Sequence, residues 1–288
     1  MTIRATAAVL EKPRDLQLRD FTVPDIGPDE GLLRVEACGL CGTDYEQWQG
    51  HLRDWGGGLP IIPGHEVIGF IEAVGSNAAK RWKVAEGDRV AVEPVIPCGH
   101  CSQCVTGAYT RCETDSGYGL YHGTKVAPLL WGGYATHLYL HPRAMLHHLP
   151  TGVPPDVMTL FNPLSNAVRW IYEVGKVGLG STVVVSGPGQ RGLLATFVAK
   201  QAGATSIIVT GIGKDARRSS WRGILGRTPR SMSTRTIPSR ACAHSPTESS
   251  PTSSWTSPPG PPRPWRRPST WSSAADGSCS PVSRVTIR

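Results

Sequence analysis

The 288-residue chain is read as a β-barrel-like domain followed by the opening of a parallel α/β unit. Three observations predict this. Residues 1–150 are short apolar runs broken by Gly and Pro, the pattern of an all-β domain with long loops. Residues 182–210 give an apolar run, a glycine turn, an apolar helix and a second apolar run, the start of a doubly wound βαβ unit. After Arg218 the pattern stops. Residues 219–288 hold 17 Ser, 11 Pro and only six Val, Ile, Leu or Phe, too little apolar surface to offset the entropy of ordering. The expected organisation is 1–150, 151–218, and a disordered 219–288.

The elements follow in order. Ala7–Leu10, Leu16–Arg19, Gly31–Val35, Val67–Val74, Arg89–Val92 and Ala135–Leu140 are β-rich apolar runs and are expected as strands. Val84–Val90, with Gly87 and Asp88 inside it, reads as a tight turn feeding a strand. From Asp156 to Glu173 the spacing becomes helical, with Val157, Leu160, Phe161, Leu164 and Val168 on one stripe. Thr182–Val185 is a strand, Leu193–Gln201 a helix and Ala204–Thr210 the next strand.

Charge is distributed unevenly. The formal charge is +8, but residues 219–288 carry 10 of the 30 basic and 2 of the 22 acidic side chains. Residues 1–218 are therefore neutral, with 20 of each, which argues against a basic nucleic-acid groove in the folded body. No run of 18 apolar residues and no apolar leader core is present, so no membrane association is expected and the compartment is read as cytoplasmic. In that compartment clustered cysteines point to metal or reactive thiols more than to disulfides.

Cys98, Cys101, Cys104 and Cys112 follow C-x2-C-x2-C-x7-C. The short spacings turn three thiolates toward one point and Cys112 closes a tetrahedron, the closed four-sulfur shell of structural zinc. An iron–sulfur cluster uses four cysteines too, and unrelated reducible thiols are the plain alternative. A second group is Cys38-Gly-Leu-Cys-Gly-Thr-Asp44 with Gly64-His-Glu66. A thiolate and an imidazole on a β scaffold make a partial zinc site, and an open position there would polarise an alcohol or carbonyl oxygen. Taken alone, a buried Cys41 and a structural His65 explain these residues equally well. Gly187-Pro-Gly-Gln-Arg-Gly192 is G-x-G-x-x-G between a strand and a helix. Gly187 allows the turn, Gly189 lets a pyrophosphate approach the backbone, and Gly192 lets helix and strand pack.

In sequence order, Cys-Gly-Thr-Asp, Gly-His-Glu, Gly-Asp-Arg-Val, the cysteine loop, Gly132-Gly-Tyr-Ala135 and the glycine turn resemble the zinc-containing medium-chain dehydrogenases. These are the alcohol, sorbitol and threonine dehydrogenase relatives. The likeness covers about 1–218. It implies a GroES-like β-barrel domain followed by a Rossmann domain that is truncated here. It also implies catalytic zinc on Cys41 and His65, a proton relay beginning at Thr43, and Asp44 orienting the histidine. Glu66 matches a glutamate that serves as an alternate ligand, and Cys38 falls where the family has none, so it is read as packing. Two positions depart from the family. Asn162 stands where the sorbitol branch has a ligand glutamate, and Glu46 stands where many relatives have a relay histidine. Thr210–Lys214 offers no acid to hold the ribose of NAD; Asp215 lies farther on, with Lys214, Arg217 and Arg218 around it, which leans toward NADP.

The implied activity is hydride transfer between a small-molecule alcohol or carbonyl and NAD or NADP. The alternatives are an NADPH-dependent reductase with weak or no catalytic zinc, and a non-catalytic zinc-stabilised module with a basic tail. Relatives are usually homo-oligomeric, which is doubtful for this chain. The tail carries Trp221, Trp255, Trp265 and Trp271, odd for a disordered segment. A one-base slip near codon 219 accounts for it. Shifted onto the third base of each codon, TCN serines become Phe, Leu, Ile or Val, and tryptophans become Leu, Met or Val. With the first base of each codon open, Thr252–Gly260 can then be recovered as an apolar, valine-rich strand ending in Thr-Ser-Gly, and 268–282 as helix, turn and strand. Residues 219–288 are therefore expected to be an out-of-frame translation, and the chain to be impaired as an enzyme; a genuine Ser/Pro/Arg tail is the alternative.

Overall fold

A computed structural model describes residues 4–52, 58–114, 116–211 and the backbone of 284–287. The chain divides into two units, 1–162 and 163–288. The division falls twelve residues beyond the expected boundary at 150, because the segment after Pro150 is still tied to the first unit.

The first unit is built on antiparallel strands. β1 (Arg4–Lys12) and β2 (Asp15–Thr22) form a hairpin. β3 (Gly31–Gly39), β4 (Glu66–Val74), β5 (Arg89–Val92), β6 (His137–Leu140) and β7 (Leu146–His148) form one sheet in the order β6-β3-β4-β5-β7. Single bridges from Ala7 to Ala135 and from Leu10 to Ile61 tie the hairpin to the rest. Five of the six expected strands extend beyond the predicted runs or match them; β6 is shorter, and β7 is additional. Val9, Leu33, Ile71, Val90 and Leu138 meet in the core.

Arg89 anchors the exit of this unit. It is 5 % exposed. Its Nε donates to Glu36 Oε2 at 2.7 Å, and its Nη1 donates to the carbonyls of Pro150 and Val153 at 2.8 and 2.7 Å. The Arg89 carbonyl accepts from Leu149 N–H at 2.9 Å. One residue thus fixes 149–153 against β5.

Short helices lie between the strands: α1 (Gly42–Gln49), α2 (Ser76–Trp82) and α3 (Ser102–Val105). The expected helix over 156–173 is broken into α4 (Pro155–Met158), α5 (Phe161–Val168) and a wider turn over Arg169–Val174. Pro163 is the cause, since it has no N–H for the carbonyl of Thr159 and its ring crowds that turn. The break shifts the helical phase. The buried stripe is Pro163, Ala167 and Ile171, while Val157 and Val168 are exposed.

The second unit holds the parallel pair β8 (Thr182–Ser186) and β9 (Ser206–Thr210), joined by α6 (Gln190–Gln201). Val183, Val185, Ala195, Ala199 and Val209 close its core. A strand that the sequence pattern did not suggest, β10 (Arg284–Ile287), pairs antiparallel with β8. It lies at the far end of the stretch expected to be disordered; residues 219–283 fall outside the described residues.

Two outcomes follow. Arg89→Met strands Glu36 and two carbonyls, and is expected to lower unfolding free energy by about 3 kcal/mol in denaturant titration. The second concerns Trp131, which is packed against His122 and His141 at ring-centroid distances of 4.3 and 6.0 Å. Burial holds both imidazoles below their ordinary value of 6.5. They fold neutral, and the unfolded chain takes up their protons first. The stability present at neutral pH is therefore lost as pH falls below about 6.5. The denaturation midpoint is expected to decline there, less steeply in His122→Phe.

Candidate metal centre and nucleotide turn

The strand register brings together residues that the sequence separates. In the β3–β4 ladder Gly39 lies opposite Glu66 and Cys38 opposite Val67. The chain leaving β3 reaches Cys41 where the chain entering β4 delivers His65. Gly39 leaves the space that the Glu66 carboxylate occupies; a Cβ there would displace that carboxylate from the group. Gly64, at φ +92°, turns the backbone immediately before His65.

One sulfur of Cys41, one ring nitrogen of His65 and one carboxylate oxygen of Glu66 lie within 4.8 Å of one another, all buried. Asp44 ties the ligand-bearing segments together. Its Oδ2 accepts from the Cys41 backbone N–H at 2.7 Å, at the start of α1, and its Oδ1 lies 3.2 Å from His65 Nδ1. Thr43 Oγ1 is 3.6 Å from Cys41 Sγ. Burial pulls the His65 imidazole down, but Asp44 and Cys41 outweigh it and push it up to about 10. That field draws a cation to this point. A soft thiolate, an imidazole and a carboxylate are the donor set zinc prefers, so the residues fit that metal.

Cys38 is seated beside the cluster, in the space that glycine leaves at 64 and 133. A Cβ on Gly64 would come within 2.9 Å of its sulfur and one on Gly133 within 2.8 Å. Its thiol points to the Gly39 carbonyl at 3.6 Å, and burial pushes it far up, which suits packing. Two residues here were not singled out from sequence. Gln47, 8 % exposed, donates to the Gly119 carbonyl at 3.2 Å, and Tyr134 lies against Gly64. The buried face of α1, Asp44 and Gln47, follows an i, i+3 spacing that eight residues with little apolar content did not reveal. Glu46 is bonded to His51 Nδ1 at 2.7 Å, and Asn162 lies half-buried in the first turn of α5.

The second group is the tetrad. Cys98, Cys101, Cys104 and Cys112 place their sulfurs within 4.8 Å of one another. Backbone N–H groups of Cys98, Cys101 and Cys104 donate to the sulfurs of Cys112, Cys98 and Cys101 at 3.2, 3.3 and 3.4 Å. Gly99 and Gly107, both at φ +80°, make the reversals. Burial opposes the Cys112 thiolate, yet Thr114 and the Cys98 N–H bring it down to about 6. Burial and the adjacent sulfurs push Cys104 up to about 12. A cation relieves that conflict by taking all four as thiolates. No disulfide joins any of the six cysteines among the described residues.

In the second unit Gly187, at φ +95°, donates its N–H to the Thr210 carbonyl at 2.8 Å, linking the turn to β9. A Cβ on Gly192 would strike the Gly187 carbonyl, so α6 can start this close to the turn only with glycine there. Gly189 caps α6 in an extended conformation. The cradle and the helix N-terminus behind it fit an anionic diphosphate. Lys214 lies outside the described residues. No described helix is long and apolar enough to cross a membrane.

Residues 27–151 match the alcohol dehydrogenase GroES-like domain. An alcohol dehydrogenase of Mycobacterium tuberculosis is 47 % identical over 215 residues, 74 % of this chain and 58 % of that protein. A sorbitol dehydrogenase of Bacillus subtilis is 34 % identical over 205 residues, 71 % of this chain and 55 % of its own length. The chain thus spans less than three-fifths of these relatives. Among solved structures, a zinc-binding dehydrogenase of Sinorhizobium meliloti bound to NADP superposes with a TM-score of 0.67 at 28 % identity, covering 78 % of this chain and 61 % of that one.

The two sulfur-containing groups are expected to be independent. Cys104→Ser should lower zinc content by one per chain and reduce the unfolding midpoint, since a structural zinc contributes folding energy directly. Cys41→Ser should also remove one zinc but leave the midpoint nearly unchanged. Metal analysis beside thermal unfolding checks both.

Proposed function

We propose that the chain belongs to the zinc-containing medium-chain alcohol dehydrogenase family and carries the apparatus of an alcohol:NAD(P) oxidoreductase. The observation that carries this reading is the convergence of Cys41, His65 and Glu66 with Asp44 behind them. Cys41, His65 and Glu66 would hold the catalytic zinc, and the Cys98–Cys112 tetrad a structural one. When bound, zinc polarises the oxygen of an alcohol or carbonyl, and the nicotinamide takes or gives the hydride. Thr43, at the edge of the cluster, would accept the substrate's hydroxyl proton in the oxidation direction while giving up its own hydroxyl proton toward solvent, so that it relays the proton and does not keep it. Asp44 fixes the Cys41 backbone and the His65 ring, so neither drifts as charge at the site changes. Gly187, Gly189 and Gly192 seat the cofactor phosphates at the N-terminus of α6, and Lys214 favours the 2′-phosphate of NADP. The substrate is a small alcohol or carbonyl compound; the neutral 1–218 stretch argues against nucleic acid, and the free cysteines favour a cytoplasmic setting.

As written, the chain is expected to turn over poorly. Residues 219–288 are read as an out-of-frame translation of the rest of the nucleotide domain. The serine and tryptophan positions that become Val or Leu in the shifted frame support this. Resequencing around codon 219 tests it. A gene in which no single-base shift opens a frame with strand–helix–strand periodicity contradicts the slip.

The NADPH-reductase reading is favoured by Asn162, which is a weaker ligand than the glutamate it replaces. Zinc content separates the two readings: two per chain for the dehydrogenase, one for the reductase. In the frame-restored protein, Thr43→Val should lower kcat by roughly 10²-fold with both zincs retained. Unchanged turnover would remove Thr43 from the proton path.

A further inference from the structure

Tyr134 Oη, Asp44 Oδ1 and His65 Nδ1 are among the buried polar atoms at the Cys41–His65–Glu66 group without a completed hydrogen bond. The last two are 3.2 Å apart. Tyr134 is firmly held. Its N–H donates to the Pro63 carbonyl at 3.0 Å, and its own carbonyl accepts from Ala8 N–H at 2.8 Å. Its ring covers Gly64, the residue before His65, closely enough that a Cβ there would come within 2.6 Å of Cδ1. The hydroxyl is carried among groups that are acceptors once ionised. Burial raises it first, and then Asp44, Cys38 and Glu66. The Cys38 thiol is directed to the Gly39 carbonyl. A phenylalanine would fill the same space without a polar atom to satisfy, so packing alone does not account for the oxygen.

We propose that Tyr134 is a positioning residue of the metal centre: its hydroxyl donates to Asp44 Oδ1 and fixes the carboxylate rotation that presents that oxygen to His65 Nδ1. His65 Nε2 is then the nitrogen left for the metal. The chain of support runs Tyr134, Asp44, His65, and the other Asp44 oxygen holds Cys41 at the same time. This inference rests on the metal-centre reading above.

The test is cobalt titration of the full chain, wild type against Tyr134→Phe and Tyr134→Ala, followed by ligand-field absorption and by chelator release. The tetrad site serves as internal reference. Tyr134→Phe is expected to bind cobalt at the Cys41 site roughly 10-fold more weakly, with a shifted absorption band. Its tetrad affinity should be unchanged, and its unfolding midpoint no lower than wild type. Wild-type affinity and spectrum in Tyr134→Phe, with loss only in Tyr134→Ala, would reduce the residue to packing and overturn the proposal. Equal weakening at both sites would mark a general loss of fold and overturn it too. A wild-type chain that fills only the tetrad would instead overturn the metal-centre reading on which the proposal stands.

Discussion

The carboxylate of Asp44 spans the two segments from which the centre is assembled. One oxygen accepts from the Cys41 N–H and the other faces His65 Nδ1. The first contact caps α1, so the same interaction that starts the helix sets the ligand sulfur. The second reaches to the entry of β4. A charge-assisted hydrogen bond of this kind contributes about 1.5–3 kcal/mol, but its larger effect is geometric. It couples a local event, helix initiation, to a long-range one, the pairing of β3 with β4. Neither ligand is placed by its own neighbours in sequence.

Antiparallel pairing supplies the rest of the precision. A slip of one residue between β3 and β4 would turn every side chain to the opposite face, and would part Gly39 from Glu66. The glycines police that register from the inside. Gly39 leaves room for the Glu66 carboxylate, and Gly69 faces the Arg34 carbonyl with no space for a Cβ. The tetrad is organised differently, by turns and N–H···S contacts within fifteen residues of chain. One centre therefore depends on the whole sheet and the other on a single loop.

Most of the architecture was legible because periodicity reports burial. β5 falls on Arg89–Val92 as read, and β4 and β8 each differ from the reading by a residue. The tetrad is legible because four cysteines at short spacing have few other uses, and the structure gathers their sulfurs. The grouping of Cys41 with His65 and Glu66 needed the family resemblance, since 24 residues of separation carry no local signal. Three features stayed hidden. The helix over 156–173 breaks because Pro163 acts four residues upstream of itself, on Thr159, where the apolar spacing is undisturbed. Tyr134 was visible only as part of Gly-Gly-Tyr-Ala, and a tyrosine next to glycines says nothing of which carboxylate its hydroxyl will meet. β10 is a four-residue run, Arg-Val-Thr-Ile, at the end of a Ser/Pro/Arg-rich stretch, too short to stand out there as a strand, and it pairs along the open edge of β8.

Arg89 settles where the first unit can be cut. Its guanidinium accounts for the carbonyls of Pro150 and Val153, residues that lie past the last strand of the sheet. A fragment ending at residue 150 would keep the whole sheet and yet leave a buried cation without one of its three acceptors, the Val153 carbonyl. The smallest self-sufficient piece is therefore longer than the strands that define it. Any chimera that joins this first unit to a different second half should place its seam beyond Val153.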